Sequence, residues 1–288
     1  MQCLLPRNVK VKTSSGYMQI PAPCGRCPNC LRRQRQEWFI RNKIELQNSL
    51  NGFFVTLTYD ESYLPRSHDG LPCFSVEDIQ KWLKRFRKAI KTPGIKYFLA
   101  SEYGDKFGRP HYHALLYNIP KDYINELATI ISNTWQKGFV SVNKITDARI
   151  GYVTKYLLAR CQRKKDFNDP ALAPFYLSSR RPAIGSSYLT DDNILYHLGN
   201  KTTSFNLFGL KTTLPSYYKR KIFDCYPEIK QEIRNDYLVK VAKEMLPIVE
   251  DDNKHHEFSL TNRQRVKDSF RHFKSVSSKK ITAKLPDF

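Results

Sequence analysis

Two histidines, His111 and His113, stand one residue apart in the otherwise apolar stretch RPHYHALLY. Residues two apart in a β-strand point to the same face, so both imidazoles would project side by side. Glu102 ends the strand that precedes them in a predicted hairpin, and its carboxylate would lie close to the two rings. Two imidazoles and a carboxylate suit Mg²⁺ or Mn²⁺ bound to phosphate oxygens. We therefore predict a metal site here, with two histidines that only pack in the sheet as the alternative.

Two tyrosines, Tyr152 and Tyr156, are four residues apart in the sequence RIGYVTKYLLAR. This spacing puts both phenols on one helical face, with Lys155 beside them. A phenol has an ordinary pKa of about 10 and needs help to act as a nucleophile. A lysine or a metal-polarised phosphate can give that help. Tyrosines at this spacing also serve as packing residues, so the pair alone identifies no reaction.

Four cysteines lie near the N-terminus, three of them in the run CGRCPNC at successive two-residue gaps. Thiolates at this spacing can converge on one ion, and an earlier cysteine can complete a tetrahedral zinc site. We predict structural Zn²⁺ held by Cys3, Cys24, Cys27 and Cys30. An iron–sulfur cluster and a set of reduced, metal-free thiols are the alternatives. The chain has 7 cysteines and no signal peptide, which argues against a disulfide framework.

The charge balance indicates a polyanionic partner. The 288 residues include 48 Lys and Arg against 27 Asp and Glu, a net charge of +21. Nucleic acid is the simplest partner for such an excess, and an anionic membrane surface or a ribosome-like structural role is the alternative. No apolar run is long enough to span a membrane, so we expect a cytoplasmic protein. The sequence has no phosphate-binding loop of the kind found in a fused helicase.

Hydrophobic periodicity predicts the elements that would position these side chains. β-Branched and aromatic runs alternate with helical spacing, which favours an α+β fold with a central, mostly antiparallel sheet flanked by helices. The predicted strands are residues 52–59, 95–103, 111–118 and 138–145, and the predicted helices are residues 31–50, 76–90, 121–136 and 147–160. Cations interleaved with aromatic residues suit single-stranded nucleic acid, and solvated faces are the alternative. Among these runs, the turn at Arg180 and Arg181 is the predicted DNA-contacting loop.

Three segments, FVTLTY, PHYHALLY and YVTKYL, resemble in order the three motifs of the HUH endonucleases, which nick single-stranded DNA. The cysteine-rich stretch PCGRCPNCLRRQRQEW, with SSRRPAIGSSYL and LPSYYKRKIF, resembles the replication initiators of gokushovirus-like microviruses. The resemblance covers most of residues 1–225. It implies the HUH endonuclease fold, a cysteine-rich metal-binding segment with a basic helix in residues 1–50 and the endonuclease core in residues 51–165. Residues 166–288 would form a basic, DNA-contacting extension with a mobile tail.

The resemblance also implies a rolling-circle mechanism. A tyrosine would attack the origin, become linked to the DNA 5′-phosphate and free a 3′-OH that a host polymerase extends, in the cytoplasm of a bacterial host where a host helicase also acts. A second tyrosine would allow the later cut and closure of the strand. Tyr152 and Tyr156 would be the nucleophiles, assisted by Lys155, which favours Tyr156 as the first to cut. His111, His113 and Glu102 would be the metal ligands.

Other classes of protein remain open on the sequence alone. One is a non-catalytic, zinc-containing nucleic-acid-binding protein, whose function would be its basic surface. A second is an HUH relaxase or transposase of another mobile element. A third is an RNA-binding sheet protein, which leaves the paired histidines unexplained because base stacking on a sheet uses aromatic residues.

Overall fold

The computed structural model describes residues 3, 7–13, 16–104, 107–157, 169–207, 209–237 and 239. The described residues up to Gly185 form one compact unit, and those from Ser186 form a second. None of the helices in these ranges is both long enough and apolar enough to cross a membrane. The basic C-terminal tail that the sequence predicts to be mobile lies outside the described residues.

The first unit begins with a hairpin and a long helix. Strands β1 (Arg7–Thr13) and β2 (Gly16–Ala22) pair in an antiparallel manner between the first and second cysteines of the predicted zinc site. Helix α1 (Pro28–Gln47) follows the cysteine run. Proline is well placed at the first position of this helix, because the N–H that it lacks would have no partner there.

The other elements of the first unit build the central sheet and its flanking helices. In chain order they are β3 (Gly52–Thr58), α2 (Val76–Ile90), β4 (Lys96–Tyr103), β5 (Pro110–Tyr117), α3 (Leu127–Trp135), β6 (Val140–Lys144), α4 (Asp147–Lys155) and β7 (Tyr176–Ser178). The five strands form one antiparallel sheet in the order β6–β3–β5–β4–β7. The predicted α+β class, with an antiparallel sheet flanked by helices, is confirmed.

The two faces of this sheet bury different helices. On one face Leu57, Tyr112 and Leu116 pack with the aromatic residues of α2 and α3 in one cluster. On the other face Phe54 and Leu115 pack with residues of α4, and α1 contributes partly buried aromatic side chains. Because side chains alternate along a strand, the odd-numbered residues of β5 face α1 and α4. His111 and His113 therefore share that face, as the sequence predicts.

Some boundaries differ from those that the sequence predicts. The helix expected from residue 121 begins at Leu127, because residues Lys121–Tyr123 form a 3-10 turn instead. Helix α4 ends at Lys155, and Tyr156 is its C-terminal capping residue. The rest of the helix predicted to residue 160 passes into residues that the structure does not describe.

The second unit contains α5 (Asp191–Gly199), the hairpin of β8 (Ser204–Leu207) and β9 (Leu210–Thr213), and α6 (Ser216–Phe223). The ring of Tyr188 lies 4.8 Å from that of Tyr218 and 5.1 Å from that of Phe205. His197 is buried beside these rings. Its Nε2 is 2.8 Å from the Tyr188 hydroxyl and its Nδ1 is 2.8 Å from the carbonyl oxygen of Thr202. Burial lowers the pKa of His197, so the neutral ring is favoured.

Candidate active site and metal centre

Strand register brings the predicted acidic residue beside the histidine pair. In β5, His111 lies opposite Glu102 of β4 and opposite Thr58 of β3. His113 lies opposite Thr56 of β3. Directly opposed residues of antiparallel strands project to the same face. Two imidazoles, one carboxylate and two hydroxyls therefore share one end of the sheet, on the face that α1 and α4 cover.

A chain of hydrogen bonds runs through His113. Its Nδ1 is 3.1 Å from the hydroxyl of Thr56, and its Nε2 is 2.9 Å from Oε2 of Glu102. The same carboxylate oxygen accepts a hydrogen bond of 3.2 Å from the hydroxyl of Tyr152. The carboxylate and the His113 ring are both buried. The strand residues thus connect directly to the helix that carries the predicted nucleophiles.

The two tyrosines meet over His113 but differ in exposure. Their ring centroids are 5.0 Å apart, and those of Tyr152 and Tyr156 lie 5.2 and 5.7 Å from that of His113. Tyr152 is 41% exposed, whereas Tyr156 is partly buried. Burial, followed by the hydrogen bonds with Glu102 and Tyr152, raises the pKa of Tyr156 well above its ordinary value. Lys155, at the end of α4, is exposed to solvent.

His111 is held differently from His113. Its Nδ1 is buried and has no hydrogen-bond partner among the residues that the structure describes. Burial and the neighbouring His113 lower the pKa of His111, so its ring favours the neutral form that binds metals. Gly104 leaves room for this ring, because a Cβ atom added there would lie 2.5 Å from Cε1 and 2.9 Å from Nδ1 of His111.

These residues have the donor chemistry for a divalent cation. His111 offers a buried nitrogen without a partner, and His113 and Glu102 place a nitrogen and an oxygen side by side. Imidazole nitrogens and carboxylate oxygens are donors that Mn²⁺ accepts, and Mg²⁺ takes the oxygens. The hydrogen bond between His113 and Glu102 would then be exchanged for bonds to the ion. We conclude that the donor set fits the predicted active-site metal.

The four N-terminal cysteines form a second, separate group. Their sulfur atoms all lie within 4.8 Å of one another, and they are the only group of His, Cys, Asp or Glu ligand atoms gathered this closely in the described part of the chain. Cys3 reaches the others across the β1–β2 hairpin. Its sulfur is 3.8 Å from that of Cys27 and accepts a hydrogen bond of 3.2 Å from the backbone N–H of Cys24. The cluster, including Cys3, can therefore hold a metal ion.

The position of the cluster at the start of α1 matters for its chemistry. Cys27 is the N-terminal capping residue of α1, and Cys30 lies in its first turn. A helix N-terminus favours negative charge, which suits thiolates. Burial raises the pKa of Cys30 to about 12, with the hydrogen-bonded thiols of Cys27 and Cys3 adding to the rise. Four thiols packed this closely lose their protons at neutral pH when a cation replaces them.

The predicted DNA-contacting arginines lie at one edge of the sheet. Arg180 and Arg181 are both exposed, in a turn closed by a β-bridge between Arg180 and Ala183. The turn follows β7, the edge strand two positions from β5. Their exposure leaves both guanidinium groups open to phosphates.

Sequence reasoning missed two members of the site. Thr56 orients His113, and the strand pattern of FVTLTY, which puts Thr56 and Thr58 on one face, is the signal that could have identified it. Gly104 makes space for His111. A single glycine in a turn has many uses, so the sequence carries no signal for this role.

Comparison with known proteins places these residues in a family context. The family model described as replication-associated protein ORF2 matches residues 52–160. The chain is 30% identical over 244 residues to the replication-associated protein ORF2 of Spiroplasma virus 4, a match that covers 78% of this chain and 75% of that protein. It is 26% identical over 245 residues to the replication-associated protein VP4 of Bdellovibrio phage phiMH2K, covering 80% of this chain and 75% of that protein.

A third relative is more distant. The replication-associated protein ORF4 of Chlamydia phage 1 is 24% identical over 255 residues, which cover 81% of this chain and 62% of that protein. No solved structure matched the chain. The matched family region contains all five residues of the histidine, glutamate and tyrosine group, and the matches to the whole chain also extend well beyond it.

Proposed function

This chain belongs to the family of phage replication-associated proteins that includes ORF2 of Spiroplasma virus 4, and we propose that it starts rolling-circle replication by nicking single-stranded origin DNA with a tyrosine. The observation that carries the proposal is the contact between Tyr152 and the Glu102–His113 pair. A nucleophile candidate and two metal-ligand candidates meet on one carboxylate oxygen. This arrangement is what a metal-assisted attack on a phosphodiester requires.

The proposed first step is attack by a phenol oxygen on the scissile phosphorus. The bond from phosphorus to the 3′ oxygen breaks, the 5′-phosphate becomes linked to the tyrosine, and the 3′-OH is released to prime a host polymerase. Glu102 is placed to accept the proton of Tyr152, because the hydroxyl already donates to its Oε2. A divalent cation held by His111, His113 and Glu102 would supply polarisation of the phosphate oxygens.

The difference in exposure favours Tyr152 as the first nucleophile. Its ring is 41% exposed, and its hydroxyl is already hydrogen-bonded to a carboxylate. The raised pKa of Tyr156 makes its ionisation more costly. This is the opposite of the order that the position of Lys155 in the sequence favours. We assign Tyr156 to the later cut, with Lys155, Arg180 and Arg181 contacting phosphates.

The cysteine cluster has a structural role in this proposal. We assign Zn²⁺ to Cys3, Cys24, Cys27 and Cys30, where it would fix the start of α1. Helix α1 also contacts α4, since the Lys43 amino group lies 2.7 Å from the Asp147 carboxylate. The metal would therefore stabilise the helix against which the tyrosine helix packs.

The decisive experiment uses the circular single-stranded genome that encodes the protein. The protein would be incubated with this DNA and Mn²⁺, and denaturing electrophoresis would look for a covalent protein–DNA adduct. We expect an adduct at one genomic site and peptide mass spectrometry that assigns it to Tyr152 or Tyr156. Binding without any adduct, with Mn²⁺ or Mg²⁺ present, would instead identify a non-catalytic DNA-binding protein.

A further inference from the structure

An exposed aromatic side chain stands on the same face of the sheet as the histidine pair. Phe139 is 68% exposed and immediately precedes β6. Its neighbour Val140 pairs with Leu57 and packs on the α2 and α3 side. Because side chains alternate, Phe139 points to the opposite face. Phe139 also accepts a backbone hydrogen bond from Thr58, the residue opposite His111, so the row across the sheet runs from Phe139 to His111.

The backbone that carries this ring is fixed rather than loose. The carbonyl oxygen of Phe139 accepts hydrogen bonds from the backbone N–H of Thr58 at 3.0 Å and from its hydroxyl at 3.2 Å. Gly138 has a φ of +153°, and a Cβ atom added there would lie 2.6 Å from both the Thr58 carbonyl oxygen and the Asp60 nitrogen. A large apolar ring is thus held in water by a close-packed main chain, which points to a ligand rather than to a mobile loop.

Polar groups continue this row along the edge strand. Ser141 lies opposite Thr56 and Asn143 lies opposite Phe54, so both share the face of Phe139. The Asn143 amide donates to the Ser141 hydroxyl at 3.2 Å. Beyond them, the guanidinium carbon of Arg149 lies 5.7 Å from the centre of the Phe54 ring. The strip of Phe139, Ser141, Asn143 and Arg149 combines one ring, two hydrogen-bonding groups and one cation.

We propose that this strip binds single-stranded DNA and that Phe139 stacks on a base beside the phosphate attacked by Tyr152, an inference that rests on the proposed function. Aromatic rings stack on unpaired bases, and an arginine neutralises phosphates. A paired base has no free face for the ring, so the strip selects unpaired strands. A single ring among polar neighbours is too small an apolar patch for a stable protein interface. The net charge of +21 complements the DNA backbone.

The test measures whether binding depends on bases. Fluorescence anisotropy in EDTA, where a metal-dependent nuclease is silent, would compare a labelled single-stranded dT 20-mer with an abasic 20-mer of the same backbone. The variants are Phe139→Leu, which keeps an apolar side chain but removes the ring, and Phe139→Trp, which keeps a ring. Leu50→Ala is the matched control, because Leu50 is 76% exposed just before the other end of β3.

Phe139→Leu is expected to weaken binding of the dT 20-mer by about tenfold, within the range for one base–aromatic stack, and to leave the abasic 20-mer unchanged. Phe139→Trp should restore the difference between the two probes, and Leu50→Ala should not alter it. Equal affinity of Phe139→Leu and the wild type for the dT 20-mer would overturn the inference, as would an equal loss on both probes. Because no cleavage occurs in EDTA, this result is independent of the adduct experiment, and either proposal can fail while the other stands.

Discussion

The hydroxyl of Tyr152 and Nε2 of His113 meet on one atom, Oε2 of Glu102, at 3.2 and 2.9 Å. The nucleophile candidate on α4 and the metal-ligand candidate on β5 are therefore joined through a carboxylate on β4. Any change in one of these three residues alters the hydrogen bonding of the other two. Experiments on the site can exploit this coupling.

Replacing both tyrosines with phenylalanine should abolish the covalent adduct. Phenylalanine keeps the ring packing but lacks the oxygen that bonds to phosphorus. Tyr152→Phe should lower nicking of an origin oligonucleotide at least tenfold, whereas Tyr156→Phe should retain most of it. Both single variants should complete fewer cycles on a circular template. Adduct yield on denaturing gels measures the first effect, and circular product measures the second.

Tyr103→Phe is a suitable control for the tyrosine variants. Tyr103 is buried on the α2 and α3 side of the sheet, away from the face of His113. The control should nick DNA as the wild type does. An adduct formed by the double variant, or one mapped to a residue other than Tyr152 and Tyr156, would refute the assignment.

His111→Ala should abolish metal-dependent cleavage while binding to single-stranded DNA persists. The imidazole supplies one of the proposed ligands, whereas the basic surface supplies most of the affinity for the strand. Nicking in a Mn²⁺ titration and anisotropy with the same oligonucleotide measure the two properties. Nicking at the wild-type rate would show that the histidine pair holds no catalytic metal.

Gly104→Ala should impair cleavage without touching any proposed ligand. The added methyl group would lie 2.5 Å from Cε1 of His111, so the imidazole must move. We expect a loss of nicking that higher Mn²⁺ concentrations partly restore. Gly94→Ala is the control, because nothing lies within 4 Å of a Cβ atom added at Gly94. Equal nicking by both variants would mean that the position of His111 is unimportant.

Cys27→Ser should release the N-terminal metal and lower the free energy of unfolding. The hydroxyl is a much weaker zinc ligand than a thiolate, and structural zinc contributes directly to folding. Elemental analysis should find about one zinc per wild-type chain and much less in the variant, which should also melt at a lower temperature. Cys225→Ser changes an exposed cysteine outside the cluster and should keep the metal. Wild-type protein purified without zinc or iron would contradict the assignment.

The stability of the second unit should depend on the protonation of His197. Burial lowers the pKa of His197 in the folded chain, so the unfolded chain binds more protons at this residue. The free energy of unfolding should therefore fall as the pH drops below about 6.5, the ordinary pKa of histidine, and its contribution should be complete above it. Urea unfolding at pH 7.5 and 5.5 should show a larger loss for the wild type than for His197→Gln. Equal losses would exclude this linkage.

The sequence predicts the catalytic half of the sheet well because its signals are local. Alternation in β3 and β5 identifies the faces of Thr56 and His113, and helical spacing puts Tyr152 and Tyr156 together. Glu102 was also predicted beside His111, since a hairpin fixes the register of its two strands. These features need only the periods of strands and helices.

The features that the sequence did not predict depend on contacts distant in the chain. The hydrogen bond between Tyr152 and Glu102 depends on how α4 packs against the sheet. Strand β7 contains only three residues and pairs with β4, too short a segment for a periodic signal. The fixed backbone of Gly138 also depends on the end of β3 rather than on its own neighbours in the sequence.

The central place of β5 has a consequence for how the chain is synthesised. Strand β5 pairs with its hairpin partner β4 and with β3, which is separated from it by α2 and β4. The contacts of His113 with Thr56 and of Tyr152 with Glu102 form only after these loops close. Tyr152 also leaves the ribosome after every strand residue that it faces. A nascent chain therefore displays cationic helices before its catalytic centre exists, and a partly translated copy can hold a strand but cannot cut it.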